Sequence, residues 1–93
     1  MTVLSAKLTI HIPWAASLKD KRQVRRSLID KVRQKFNVSI AEVDTQDVHQ
    51  TLTLGLAVVS GEHRHARETL DEVVRFIEGN TEAEIVEVEY AEV

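Results

Sequence analysis

Hydrophobic and polar residues alternate without a break from Val3 to Ile12. Leu4, Ala6, Leu8, Ile10 and Ile12 fall on one side, Val3, Ser5, Lys7, Thr9 and His11 on the other. A period of two over ten residues predicts a strand with one buried face. Pro13 ends it, because proline has no N–H to give the ladder. The period then changes. Val24, Leu28, Ile29, Val32 and Phe36 recur at helical spacing, behind Ser17 and Asp20 placed as a capping box with Asp for the usual Glu. The spacing predicts a helix over about 18–36 that ends near Asn37. VSIAEVD, residues 38–44, predicts a second strand, and DTQD, residues 44–47, a tight turn. HQTLTLGLAVVS, residues 49–60, returns as a third strand with Leu52, Leu54, Leu56 and Val58 inward. Ser60 and Gly61 open a second helix with Ala66, Leu70, Val73, Val74 and Ile77 on one side, closed by Gly79 and Asn80. Residues 83–93 predict a fourth strand, with Val86, Val88 and Tyr90 opposite Ile85, Glu87 and Glu89.

The order is β-α-β-β-α-β. With right-handed crossovers it predicts an α+β, ferredoxin-like domain over residues 1–93, with a four-stranded antiparallel sheet and both helices on one face. Within that sheet the first and third strands are expected at the centre, parallel to each other, with the second and fourth at the edges. Both helix N-termini, near Ser17 and Ser60, are then expected at one end, with His11 and His63 beside them and His49 at the other end. The open face would carry Ser5, Lys7, Thr9, His11, Thr51, Thr53, Gly55, Ala57, Ile85, Glu87 and Glu89.

Composition agrees with a packed domain: 43% of residues are hydrophobic, and only three glycines and one proline interrupt them. The absence of cysteine excludes disulfides, a thiol nucleophile and Cys-ligated metals. The N-terminus has no basic start and no long apolar run. No signal peptide, no membrane span and a cytoplasmic setting are therefore expected.

The net charge of −3 gives no global case for nucleic-acid binding, but its distribution is more informative. Residues 17–36 hold eight Lys or Arg and two Asp, whereas residues 78–93 hold six Glu and no basic residue. At about 100° per residue, Lys19, Arg22, Arg26 and Arg33 share one narrow stripe of the first helix. Lys21 and Arg25 sit beside the apolar stripe and are expected to lay their stems over the core edge. Such a stripe is either a solvated face or a row of phosphate contacts, for which the planar guanidinium fork suits phosphate oxygens. Trp14 has the same two readings: a cap on the end of the core, or an exposed ring beside the cations, able to stack on a base or anchor a partner.

Catalytic and metal chemistry is not apparent. His63 and His65, two apart, point to different helix faces, and spacing supplies no carboxylate to complete a site with His11. The loop IPWAAS lacks the arginine and glycines with which acylphosphatases of this architecture bind phosphate. No GxGxxG, P-loop or Ser-His-Asp arrangement appears. No cofactor is expected, and the open sheet face carries no aromatic ring on which RNA bases could stack.

HIP with SLKDKR (11–13 and 17–22), FNVSIAEVD (36–44), QD (46–47), LGLAVVS (54–60) and VVRFIE (73–78) together resemble the YlxP-like family of short bacterial proteins of unknown function. The resemblance covers nearly the whole chain. It implies a ferredoxin-like fold and a cytoplasmic setting. Family genes lie often among translation and ribosome-maturation genes, which implies an association with RNA or the ribosome. It carries over no catalytic residue. Members often have a tryptophan after QD where this chain has His49. The expectation is a non-enzymatic accessory protein that binds RNA or a ribosomal particle. Lys19, Arg22, Arg26 and Arg33 would meet phosphates, with Lys21, Arg25 and Trp14 flanking them. The alternative is a protein–protein module or homodimer that uses the open sheet face or an edge strand.

Overall fold

A computed structural model describes all 93 residues. The elements are β1 (Thr2–His11), α1 (Leu18–Lys35), β2 (Ser39–Glu42), β3 (Thr51–Ser60), α2 (His63–Gly79) and β4 (Glu84–Glu92). They form one sheet of order β2-β3-β1-β4, with α1 packed against β2 and β3, and α2 against β1 and β3. This is the α+β ferredoxin-like arrangement that the pattern predicts.

The strand directions correct one expectation. β1 and β3 are neighbours but antiparallel, with Thr2 opposite Ser60 and His11 opposite Thr51. The reason is topological. The α1 crossover makes β2 parallel to β1, and the following reversal makes β3, which lies between them, antiparallel to both. The two helix N-termini therefore sit at opposite ends of the sheet. His11 lies at the end that holds the 43–50 loop and His49. His63 lies at the other end, where its Nδ1 is 3.3 Å from Glu92 Oε1. The projection of α2 predicts His63 on the apolar side, but its side chain is exposed, because it stands in the first turn, at the helix end.

Local signals place most boundaries. Ser17 is the N-cap of α1: its Oγ accepts from the Asp20 N–H, and Asp20 Oδ2 accepts from the Ala16 N–H at 2.9 Å. The box thus closes around the turn as the sequence implies, one residue further out than in the usual motif. α2 begins two residues later than Gly61, with Glu62 as N-cap and no side-chain cap, while Ser60 Oγ accepts from the Glu62 N–H. β2 is shorter than predicted, although Val43 continues the pairing by donating to Thr53 O at 2.9 Å. Gly55 leaves room for this neighbour, because a Cβ there would lie 3.1 Å from a Val43 methyl, which would have to shift by a few tenths of an ångström.

The core lies between the helices and one sheet face. Leu8, Ile10, Ile12, Leu52, Leu54, Leu28, Val32, Leu70, Val73 and Ile77 are all fully buried there. The T-shaped Phe36–Phe76 pair, with centroids 5.4 Å apart, closes it between the helices. No helix is long and apolar enough to cross a membrane.

β4 departs from strict alternation. Its register against β1 shifts between Thr9 and Ile10: Glu87 faces Thr9, but Ile85 faces Ile10. Val86 is the extra residue of a bulge. Ile85 consequently joins the core side, and Val86 stands 54% exposed. The reading that put Ile85 outward and Val86 inward is reversed, since a bulge flips every side chain beyond it. Further along, Tyr90 fastens β4 to α2. Its hydroxyl donates to Asp71 Oδ1 at 2.7 Å, and the Arg67 guanidinium stacks 3.6 Å from the ring centroid while Nε reaches Asp71.

The Tyr90 hydroxyl holds the Asp71 carboxyl below the usual carboxylate range; the Arg67 and Arg75 charges add to this and partial burial opposes it. Burial, and then Asp71, push the Tyr90 phenol up. A depressed carboxyl pKa stabilises the fold above the unfolded value of about 3.9 and ceases to do so as pH falls through the folded value. Tyr90→Phe should therefore be less stable than wild type at neutral pH. In urea titrations that difference should shrink on acidification below about pH 4.

Candidate nucleic-acid interface

The face of α1 that points to solvent bears Lys19, Arg22 and Arg26. With Gln23, Ser27 and Asp30 they line a shallow groove of about 510 Å³. Lys19 to Arg26 spans about 10 Å along the helix axis. None of these three cations has a carboxylate within ion-pairing distance or a hydrogen bond to another part of the chain. Most of the other basic residues are committed. Lys7 lies 3.6 Å from Asp44 and 3.9 Å from Glu89, Arg64 pairs with Glu68, and Arg67 with Asp71. Lys35 lies over the Phe76 ring at 4.9 Å. Lys31 and Arg75 are unpaired but lie off this face. Asp30 brings one negative charge into the groove, and at about 100° per residue it falls within the same stripe as Lys19 and Arg26.

Arg33, predicted as the fourth member of the stripe, is drawn aside: Nη2 donates to Ile40 O of β2 at 3.1 Å. Trp14 is 50% exposed in the β1–α1 loop, so it does not cap the core. That loop is held by a turn from Ile12 O to the Ala15 N–H and by Gln50 Nε2, which donates to Pro13 O.

Lys21 and Arg25 correct the expectation that they flank the stripe. Lys21 is 1% exposed, the largest fully buried side chain in the protein. Its Nζ donates to Thr45 O at 2.7 Å and to Gln46 O and Thr51 O at 3.3 Å each. Glu42 Oε2 lies 2.9 Å away, and the Glu42 side chain is only 7% exposed. Four oxygens thus surround the one ammonium group, and the Glu42 carboxylate supplies the balancing charge. Arg25 Nη1 donates to the other oxygen, Oε1, at 2.9 Å. Lys21 therefore cannot meet a phosphate, and Arg25 is bound in the same cluster. The signal was present in the sequence. At about 100° per residue Lys21 falls midway between Leu28 and Val32, in the middle of the apolar stripe rather than beside it.

The cluster also fixes the loop after β2. Asp44 and Thr45 both have left-handed backbones, φ 47° and 40°. That conformation is tolerable for Asp and strained for a β-branched Thr. Lys21 on the Thr45 carbonyl, the Thr45 Oγ1–Thr53 Oγ1 contact at 2.9 Å and Val48 N–H on Thr45 O hold it there. No three His, Asp or Glu side chains converge as a metal site would need.

Compared with known proteins, residues 3–90 match a family described as "Protein of unknown function (DUF503)". The chain belongs to this family. It is also 40% identical to "Uncharacterized protein YlxP" of Bacillus subtilis (strain 168) over 70 residues, which cover 75% of this chain and 76% of that protein. The YlxP-like resemblance read from the sequence is thereby shown. Within this DUF503 chain, SLKDKR and AEVD, two of the blocks that carry the resemblance, meet in space. Ser17 and Asp20 cap α1, while Lys21 and Glu42 form the buried pair.

Removing one partner of that pair should be worse than removing both. Lys21→Met leaves Glu42 buried beside Arg25 alone and should cost about 3–5 kcal/mol in chemical denaturation. Adding Glu42→Leu to the same chain should restore part of that stability by removing the buried charge, while the Thr45, Gln46 and Thr51 carbonyls stay without their donor.

Proposed function

We propose that this protein is a non-enzymatic accessory factor that binds structured RNA, as a free molecule or within a ribosomal particle, through the outer face of α1. The observation that carries the reading is the set of three unpaired cations, Lys19, Arg22 and Arg26, on one groove of a chain whose other cations are mostly engaged. Unpaired guanidinium groups retain their full donor set for phosphate oxygens, and two arginines four residues apart present their forks on the same side. Trp14, half exposed in the loop before α1, supplies an aromatic face for an unstacked base. Lys21 and Arg25 are no longer part of the contact set; they shape the surface from beneath. Arg33 contributes only what its bond to Ile40 O leaves free.

Phosphate contacts of this kind release counterions, so affinity falls with salt by a slope of roughly 0.7–0.9 per contact. Fluorescence anisotropy against structured ribosomal RNA at two salt concentrations tests the reading. Wild type should bind with a clear salt slope. Arg22→Glu with Arg26→Glu should weaken binding and lower that slope by about two, whereas Arg75→Glu on α2 should leave both nearly unchanged. Equal affinity and slope in wild type and the Arg22/Arg26 variant would refute the interface.

A further inference from the structure

β4 lies at the end of the sheet and pairs only with β1. The outer rim of this nine-residue strand therefore offers N–H and C=O groups with no ladder partner. The opposite edge is different: β2 is four residues long and the 43–50 loop follows it directly. Beside the β4 rim runs an open groove of about 450 Å³, from Glu78 at the end of α2 along residues 83–88. Its floor is partly apolar. Ile85 and Val88 pack on the core but remain half covered, because no strand lies beyond them. The bulge adds Val86, 54% exposed.

The charge of this rim is of one sign. Glu78, Glu84 and Glu87 have no cation within ion-pairing distance, and Lys7 reaches only Glu89 on this strand. The Glu87 carboxyl is pushed up by the neighbouring Glu89 carboxyl, and Lys7 offsets this only in part. A second copy of this chain would place glutamates against glutamates, and like charges across a strand pair are destabilising. A strand carrying Lys or Arg meets the opposite situation.

We propose that β4 is a docking edge for an extended basic segment of a partner protein, which adds as a fifth strand. Main-chain hydrogen bonds to the free rim supply the attachment. Lys or Arg side chains on the open-face side lie beside Glu87 and Glu89. The alternating apolar side chains lie on the other side, where they complete the cover over Ile85 and Val88. This surface is separate from α1, and the docking reading stands whether or not α1 binds RNA.

The test uses the full-length protein and a fluorescent, acetylated and amidated nonapeptide of alternating Lys and Val. Saturable anisotropy, with slowed amide exchange confined to residues 84–92, is expected. Glu84→Lys with Glu87→Lys, both exposed positions, should weaken binding by at least about tenfold. An analogue N-methylated on alternate residues, which keeps every charge but loses the ladder donors, should bind as weakly. Three results would overturn the proposal: no binding, equal binding of the N-methylated analogue, or binding without protection of residues 84–92. Light scattering of the protein alone supplies a fourth. A dimer whose 84–92 amides are already protected would show that the edge belongs to a second copy.

Discussion

One ammonium group joins three parts of the chain that are distant in sequence. Lys21 comes from the first turns of α1, Glu42 from the end of β2, and the carbonyls of Thr45, Gln46 and Thr51 from the loop and the start of β3. A buried cation without partners would cost far more than a small domain can bear, so the fold must deliver all of these oxygens together. That requirement fixes where α1 lies over the β2 edge, and it holds Asp44 and Thr45 in left-handed conformations that Thr would otherwise avoid. The apolar core alone would tolerate some sliding of α1 along its stripe. The Lys21 cage tolerates little, because hydrogen bonds depend on distance and angle far more steeply than apolar contact does.

The same cluster determines which charges remain for partners. The first helix carries eight basic residues in and around it, and a reading by charge alone counts them as equivalent. Burial removes Lys21, Glu42 engages Arg25, the β2 carbonyl engages Arg33, and two phenylalanine rings sit beneath Lys35. Lys19, Arg22 and Arg26 are what the outer groove presents. Sheet order then separates this basic face from the acidic one. α1 packs towards β2, and the unpaired glutamates lie on β4 at the opposite edge. A net charge of −3 conceals this polarity, and polarity rather than net charge governs which surfaces attract which partners.

Element type and order were determined by the sequence itself. Period-two and period-3.6 patterns, Pro13 after β1, the Ser17 cap and the near absence of glycine inside elements are local signals, and each acts over a few residues. Relative strand direction was equally implicit in the β-α-β-β-α-β order, although the antiparallel β1–β3 pairing emerges only when crossover and reversal are followed together. The position of Lys21 in the apolar stripe was legible too, for a helical projection needs no tertiary information. What it buries against was not. The carbonyls that receive it belong to residues 24 to 30 positions away, and no local rule specifies their approach. The β4 bulge was likewise decided in three dimensions. EIVEVE alternates imperfectly in either register, and only pairing with β1 settles that Ile85 goes inward and Val86 outward. Local chemistry determines what each segment becomes, because propensity and periodicity act within a segment. The tertiary structure decided which charges are hidden and which are offered, because burial is a property of the partners that a residue meets.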